Sequence, residues 1–240
     1  MQLISLNTWG GRVRGINEFI AGKKDSTDIF CFQEVHNDSP ESEREVAEEQ
    51  FDFYEKVRTI LPDFEGYFSS NFFGVGMVMF IRKNIEVESF DSYTILSAEE
   101  LASMGEPGRY SRVLQQLVIK ESKLSIYNFH GIAGGGKVDN EERNIQCRRV
   151  LEIINKDGNR KILTGDFNLN PNTKLITALE KIMQNPLKQS RFKTTRSELY
   201  KLRSILPFAD YCFLSPGLKV QDFQVLPDVV SDHLALQVEF

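Results

Sequence analysis

The chain has 240 residues, of which 41% are hydrophobic and 26% are charged, and its formal net charge is −5. This composition is ordinary for a soluble globular protein of one large or two small domains. The acidic balance argues against a protein that coats nucleic acid, although it does not exclude a local basic cleft.

The cysteines and the apolar runs exclude further classes of protein. Cys31, Cys147 and Cys212 lie far apart, without the Cys/His spacing of a zinc site, and we expect them to be buried and reduced. No apolar run approaches the roughly 18 residues that a membrane span needs. Strand-like sequence begins at residue 2 and leaves no room for a signal peptide, so we expect a cytoplasmic location.

The first half of the chain is predicted to alternate between strands and helices. Strands are predicted where apolar residues alternate or run together between turn residues, and helices where apolar residues recur at helical spacing. The predicted strands cover residues 2–9, 28–35, 64–69, 72–82 and 85–95. The predicted helices cover residues 15–24 and 39–61, and residues 97–110 form a loop or a short helix.

Two of these predictions are more specific. Residues 64–69 and 72–82 are expected to form a hairpin, and residues 85–95 to continue its sheet. The helix over residues 39–61 is expected to begin at Ser39-Pro40-Glu41, because proline is favoured in the first turn of a helix.

The second half of the chain continues the alternation. The predicted strands cover residues 113–119, 123–129, 161–165, 208–214, 218–226 and 234–240. The predicted helices cover residues 139–156 and 172–184, whereas residues 186–207 show no clear pattern. Strands outnumber helices, which predicts a mixed α/β fold.

Polar residues stand at the ends of several predicted strands. Glu34 ends a buried strand, where an acid is costly unless it is paired or binds a cation. Asp166 and Asn168 follow the apolar run that ends at Gly165, and side chains two residues apart on a strand point the same way. Taken alone, this pair is at least as typical of a turn as of a functional site.

The remaining strand-end residues are Asn7, His130, Asp210 and the pair Asp232-His233. Because these residues come from the whole length of the chain, we expect them to meet at one rim of the sheet. Hard oxygen ligands and imidazoles in one place are typical of metal-assisted phosphoryl chemistry.

The motifs containing these residues are Leu6-Asn7-Thr8-Trp9, Gln33-Glu34, Asn128-Phe129-His130, Gly165-Asp166-Phe167-Asn168, Asp210-Tyr211 and Ser231-Asp232-His233. Together they resemble the endonuclease/exonuclease/phosphatase superfamily, which includes pancreatic deoxyribonuclease, abasic-site endonucleases, neutral sphingomyelinases and inositol-polyphosphate 5-phosphatases. Each motif is short, but their order and spacing over nearly the whole chain are specific.

The resemblance implies an α/β (α+β) fold, a four-layer α/β-sandwich of two mixed β-sheets packed face to face with helices outside. We expect residues 1–240 to form one such domain. The resemblance also implies a Mg²⁺- or Mn²⁺-dependent enzyme that hydrolyses phosphate esters, with a phosphodiesterase or nuclease as the first interpretation. The alternatives are an enzyme acting on a lipid, nucleotide or sugar phosphate, and a non-catalytic binding module on the same fold.

The resemblance further implies the partners and the metal ligands. The expected partner is a phosphate-ester substrate, with nucleic acid as one option, and no obligate protein partner is expected. Glu34 would be the main metal ligand, with Asn7 and Asp232 near the ion. This sparse set suits Mg²⁺, which keeps several of its waters.

The catalytic roles also come from the resemblance. Asp166 would orient or deprotonate the attacking water, and Asn168 would hold water or phosphate. Asp210 would pair with His233, which either donates to the phosphate or acts as the base; the choice of base between Asp166 and His233 stays open. His130 matches the residue that contacts the phosphate or protonates the leaving group in the deoxyribonuclease-like and sphingomyelinase-like branches, although a core histidine is the alternative.

Weaker candidates lie outside these motifs. Arg112 is a candidate phosphate ligand, with Tyr110 and Arg109 beside it, but all three are equally typical of a surface loop. The basic residues within 188–203 are expected to form either a nucleic-acid groove or a solvated surface. His36 is interpreted as a loop residue.

Overall fold

A computed structural model describes residues 1–40, 48–105 and 110–240. The strands are β1 (Gln2–Asn7), β2 (Ile29–His36), β3 (Phe64–Phe72), β4 (Val75–Arg82), β5 (Val87–Leu96), β6 (Arg112–Ile119), β7 (Leu124–His130), β8 (Arg160–Asp166), β9 (Asp210–Leu214), β10 (Asp222–Val225) and β11 (Leu236–Glu239). The helices are α1 (Ile16–Lys23), α2 (Phe53–Ile60), α3 (Ala98–Ser103), α4 (Glu141–Lys156), α5 (Lys174–Glu180) and α6 (Pro186–Gln189).

The strands form two mixed sheets. The six-stranded sheet has the order β10-β11-β1-β2-β4-β3, and the five-stranded sheet has the order β5-β6-β7-β8-β9. Each contains a parallel pair, β1 with β2 and β7 with β8, among antiparallel neighbours. Strands that run in parallel end at the same edge of their sheet, so each sheet brings two carboxyl ends together.

Successive side chains of a strand point to opposite faces of its sheet, so each sheet packs on both sides. In β1, Ile4 and Leu6 belong to an apolar cluster that contains side chains of α1 and α2, whereas Leu3 belongs to a cluster shared with the second sheet. That shared cluster also contains Val150 of α4 and Leu175 of α5. The predicted four-layer sandwich of two mixed sheets with outer helices is therefore confirmed.

Three buried amides cross the apolar interface between the sheets. The Gln33 Nε2 donates to the Asn128 Oδ1 at 2.7 Å, and the Asn128 Nδ2 donates to the Gln115 Oε1 at 2.9 Å. Because a buried amide without a partner is costly, this chain of bonds favours one register between the sheets. Gln33 precedes Glu34, and Asn128 lies two residues before His130, so the same contacts align two of the motifs.

The helix predicted over residues 39–61 is wrong for much of its length. Residues 39 and 40 are not helical, residues 41–47 lie outside the described part of the chain, and α2 begins only at Phe53. The Gln50 N–H donates to the Gly10 carbonyl at 3.0 Å, which ties the segment before α2 to the loop after β1. This tertiary contact prevails over the helical apolar stripe.

The prediction that residues 85–95 continue the sheet of the hairpin is also wrong. β5 pairs with β6 and forms an edge of the five-stranded sheet. Alternation indicates which side chains share a face, but it does not indicate which sheet a strand joins.

The other predicted helices and strands are present, with their ends shifted by several residues in places. The described cysteines form no disulfide; Cys31 and Cys212 are buried as expected, but Cys147 is only half-buried. No helix within the described ranges has the length and apolar character needed to cross a membrane.

Gly165 provides a test of the packing beside the site. Its φ is +136°, and a Cβ there would lie 2.0 Å from the carbonyl oxygen of Phe129. We expect Gly165→Ala to lower the free energy of unfolding by about 3 kcal/mol, because it adds both backbone strain and an overlap. Gly158→Ala is the matched control, since its Cβ would meet nothing within 4 Å. Equal urea midpoints for the two variants would contradict this account.

Candidate active site

Five strands bring polar residues to one edge of the two sheets. Asn7 ends β1 and Glu34 lies near the end of β2, while His130 and Asp166 end β7 and β8, and Asp210 begins the antiparallel β9. In the second sheet, His130 is in register with Asp166, and Asp166 with Asp210. The strand-end residues predicted from the sequence therefore lie together.

A cavity of about 510 Å³ opens at this edge. Its walls include Glu34, His130, Asp166, Asn168, Asp232 and His233. Asn7 and Asp210 do not line it, but they contact residues that do.

Asp166 is at the centre of the hydrogen bonds, although it is only 1% exposed. Its Oδ1 accepts from the Asn168 N–H at 2.9 Å. Its Oδ2 accepts from the Asn7 Nδ2 at 3.0 Å and the Asn168 Nδ2 at 3.1 Å. Burial raises the pKa of Asp166, but the positive charges of His233, Arg196 and other groups lower it by a larger amount. The net pKa of Asp166 therefore lies well below its usual range. Asp166 is therefore a carboxylate.

Glu34 reaches the cavity through a break in the regular strand. The pairing of β2 with β4 shifts between Gln33 and Val35, and Glu34 has a φ of +55°. Bulges beside active sites commonly redirect a side chain, and a positive φ costs a non-glycine residue energy. As a result, the side chain of Glu34 is 35% exposed and its Oε1 accepts from the Asn7 Nδ2 at 2.9 Å. The predicted acid at the end of a buried strand is thus turned towards solvent.

His130 is a buried histidine without a hydrogen-bond partner among the described residues. Its Nε2 lies 3.6 Å from the Glu34 Oε1 and 3.8 Å from the Asp166 Oδ2. Burial lowers the pKa of His130, although the two acids oppose this. Buried polar groups usually have a partner, and His130 lies in the cavity wall, where a ligand can supply one.

His233 is oriented by Asp210. The His233 Nδ1 lies 2.8 Å from the Asp210 Oδ1 and 3.0 Å from its Oδ2, as the sequence analysis expected. The Nε2 lies 3.5 Å from the Asp166 Oδ2 and 3.8 Å from the Asp232 Oδ1. Burial by itself lowers the pKa of His233, but Asp210 and the other acids raise it, and the net direction is upward. The contact with Asp210 favours a proton on Nδ1 and leaves Nε2 on the side of Asp166.

Two buried cations were not identified by the sequence analysis. The Lys137 Nζ donates to the Asn168 Oδ1 at 3.0 Å. The Arg196 Nη1 lies 3.3 Å from the Asp232 Oδ2 and also contacts the His233 Nε2. The only sequence signal for Lys137 is the run of glycines before it. Arg196 falls within the basic stretch, for which a nucleic-acid groove and a solvated surface are both expected alternatives, and its burial excludes the solvated surface for this residue.

The weaker candidates have mixed outcomes. Arg112 and Tyr110 line the cavity, and Tyr110 packs against Phe72 with ring centroids 5.6 Å apart. Arg109 lies outside the described residues. His36 is not a loop residue, because it is the buried last residue of β2 and also lines the cavity.

The donor atoms fit a divalent metal ion. Among the described residues, Glu34, His130 and Asp166 offer ligand atoms that all lie within 4.8 Å of one another. A second such group consists of Asp166, Asp210 and His233. Carboxylate oxygens suit Mg²⁺ and Mn²⁺. The expected ligand Asp232 belongs to neither group, and its Oδ2 lies 3.3 Å from the Arg196 Nη1.

The expected metal neighbour Asn7 also has its polar atoms engaged. Its Nδ2 donates to Glu34 and Asp166, and its Oδ1 accepts from the Trp9 N–H at 3.0 Å. Asn7 therefore holds the two acids in place.

Comparison with known proteins agrees with this geometry. The model of the Endonuclease/Exonuclease/phosphatase family matches residues 4–233. No curated protein matches the sequence.

Solved structures extend the likeness to the whole fold. An endonuclease/exonuclease/phosphatase from Bacteroides vulgatus is 17% identical with a TM-score of 0.70, over 99% of this chain and 97% of that one. A mannosyl-6-phosphatase from Bacteroides thetaiotaomicron VPI-5482 is 15% identical with a TM-score of 0.70, over 100% and 98%. The human nocturnin catalytic domain, with bound sulfate, is 18% identical with a TM-score of 0.65, over 99% and 92%.

At these identities the solved structures show the fold alone, whereas the family match rests on the sequence and spans nearly the whole chain. The two sheets and the motif residues at their common edge agree with that match. The chain belongs to the endonuclease/exonuclease/phosphatase family, a class of hydrolases that act on phosphate esters.

Proposed function

We propose that this protein is a divalent-metal-dependent phosphodiesterase in which water attacks phosphorus. The observation that carries the proposal is the buried Asp166 carboxylate, held by amide donors of Asn7 and Asn168 and lying between Glu34, His130 and His233. A fixed carboxylate at a cavity wall can orient a water molecule or accept its proton. The family membership supports hydrolysis of a phosphate ester.

In this proposal, Glu34 is the main metal ligand, and Asp166 offers a further ligand atom. Mg²⁺ or Mn²⁺, when bound, supplies positive charge that polarises the phosphoryl group and offsets the charge that develops during the attack. Asn7 fixes the spacing between Glu34 and Asp166, since it donates to both.

The other side chains complete the proposed chemistry. Asp166 orients the water, and the Asn168 Nδ2, which uses one N–H for Asp166, offers its second N–H to the phosphate. His233 exchanges a proton or a hydrogen bond at Nε2, because Asp210 engages its Nδ1. His130 contacts the phosphate or the leaving oxygen, which would give its ring nitrogens the partners they lack among the described residues.

The lining of the cavity favours a diester. The lining comes from separate segments of the chain: Trp9 and Arg12 follow β1, Lys137 follows β7, and Tyr200 and Leu202 precede β9. A phosphodiester carries two substituents on phosphorus, and a lining of this kind offers contacts for both. A cavity of about 510 Å³ is within the range that holds small organic ligands.

A nuclease is the second candidate, favoured by exposed basic residues in the segment that also contains the cavity-lining Arg196 and Tyr200. They are Lys188, Arg191, Lys193, Lys201 and Arg203. Such residues attract the backbone of a nucleic acid, in particular a single strand that can enter a cavity of this size.

The catalytic assignment predicts a loss of hydrolysis in two variants. With bis-(p-nitrophenyl) phosphate and Mg²⁺ or Mn²⁺, we expect Asp166→Ala and His233→Ala to lower kcat/KM at least ~100-fold, as is typical for loss of an acid–base or electrostatic group. Asp228→Ala is the control, because Asp228 is exposed and close in sequence to His233. Equal rates for wild type and both variants would exclude the assignment.

The metal assignment predicts reversible inhibition by EDTA. We expect Glu34→Gln to raise the Mg²⁺ concentration for half-maximal activity roughly 10-fold or more, because it removes a charged oxygen ligand. Glu198→Gln, at an exposed position, is the matched control. Full activity of the wild type in EDTA would contradict the metal assignment.

The substrate class is tested with plasmid DNA, RNA, phospholipid, nucleotides and sugar phosphates, each with and without EDTA. We expect hydrolysis of small diesters and, for the second candidate, of single-stranded nucleic acid. Hydrolysis confined to monoesters would overturn the diester proposal and leave the phosphoesterase assignment in place.

A further inference from the structure

Two buried basic residues lie in the wall of the cavity. We call Lys137 and Arg196 the cationic pair; each is only 3% exposed. The proposed roles of the acids and histidines do not use them. Lysine and arginine are rarely buried to this degree without a specific partner, so the cationic pair requires a physical explanation.

The backbone holds Lys137 in place at an energetic cost. Its φ is +57°, and Gly134 and Gly136 on its N-terminal side also have positive φ values. The Asn170 N–H donates to the Lys137 carbonyl at 2.9 Å, and the Asn170 Nδ2 donates to the Gly136 carbonyl at 3.1 Å. A strained residue persists only where its surroundings impose the conformation, and such residues cluster at ligand sites.

The ammonium group of Lys137 fixes the amide of Asn168. The Nζ donates to the Asn168 Oδ1, so the Asn168 Nδ2 faces the Asp166 carboxylate. A lysine only donates and a carboxylate only accepts, so the amide cannot flip without losing both contacts. An ammonium has three N–H groups, and the bond to Asn168 uses one of them.

Arg196 is built into the site by the backbone around it. The Ser197 N–H donates to the Asp232 carbonyl at 3.0 Å, and the Leu234 N–H donates to the Thr195 carbonyl at 2.9 Å. These bonds hold the guanidinium against Asp232 and His233. The Arg196 Nε has no hydrogen-bond partner among the described residues.

One aromatic ring contacts both cations. The Arg196 Cζ lies 4.2 Å and the Lys137 Nζ lies 5.5 Å from the centroid of the Tyr200 ring. Contacts of this kind stabilise a cation without using its N–H groups. The cationic pair therefore keeps donors for another molecule.

Neutralisation of the nearby acids is the simpler explanation of the cationic pair, but it leaves two observations unexplained. It does not require both residues to line the cavity, and it does not explain the unpartnered Arg196 Nε and His130 ring nitrogens at the same cavity. A ligand with several acceptor oxygens and negative charge would match two cations in the wall of one cavity.

We propose that the cationic pair binds the non-bridging oxygens of the phosphoryl group, so that Lys137 and Arg196 form an anion-binding half of the cavity. This inference rests on the proposed function, because it takes the substrate to be a phosphate ester. Tyr200 supports both cations from behind, and Lys137 also positions Asn168.

The test is the binding of inorganic phosphate, measured by calorimetry in EDTA and again with Mg²⁺. We expect Lys137→Met and Arg196→Gln each to weaken phosphate binding about 10-fold, as expected for loss of a charge-assisted hydrogen bond. Lys137→Arg is expected to retain more affinity than Lys137→Met. Lys219→Met is the matched control, because Lys219 is an exposed lysine outside both the cavity lining and the basic stretch.

Thermal unfolding shows whether each variant is folded. If Arg196→Gln does not fold, Tyr200→Leu replaces it and is expected to weaken phosphate binding about threefold. The inference would be overturned if folded Lys137→Met bound phosphate with wild-type affinity and Arg196→Gln, or Tyr200→Leu in its place, did so as well. No phosphate binding by the wild type, in EDTA or with Mg²⁺, would also overturn it.

Hydrolysis of bis-(p-nitrophenyl) phosphate by the same samples separates this inference from the proposed function. Phosphate binding that depends on the cationic pair, in a wild type that hydrolyses no ester, would refute the function alone. Active wild type whose phosphate affinity is unchanged by the substitutions would refute the anion-binding half alone.

Discussion

The hydrogen bond from Asn7 to Asp166 joins the end of β1 in one sheet to the end of β8 in the other. A buried carboxylate is tolerated only where protein donors replace its lost water, so Asp166 depends on the docking of the sheets. The same Asn7 amide donates to Glu34, which makes one side chain set the relation between two acids. The buried amides of Gln33 and Asn128 hold the sheets together just behind this point.

The charge of the whole chain and the charge within its cavity are different quantities. The net charge of −5 describes a surface that repels polyanions at long range. Inside the cavity, Lys137 and Arg196 stand close to Asp166 and Asp232, so opposite charges alternate over a few ångströms. At such distances in a poorly hydrated site, local charges outweigh the net charge. An acidic protein can therefore offer an anion a favourable site.

The sequence predicts best those features that depend on regular strands. Asp166 and Asp210 could be placed because alternation and strand ends give their positions, and the family resemblance indicates how distant motifs combine. Lys137 could not be placed, because its position depends on positive φ angles in a glycine loop. Arg196 depends on hydrogen bonds between two segments far apart in the sequence. Apolar spacing predicts a helix in the segment before Phe53. That spacing gives no sign of the contact between Gln50 and Gly10, which prevails in the structure.

Because of the order of strands in the first sheet, the site forms late in folding. β1 is paired with β11, where Gln2 lies opposite Glu239, and Asn7 reaches a carboxylate 159 positions along the chain. Contacts between such distant segments form slowly, and a chain emerging from the ribosome folds from its N-terminal side first. A nascent chain would carry Asn7 and Glu34 long before Asp232 and His233 exist. Catalytic competence is therefore a property of the finished fold, and recovery of activity on refolding would report the docking of the last strands.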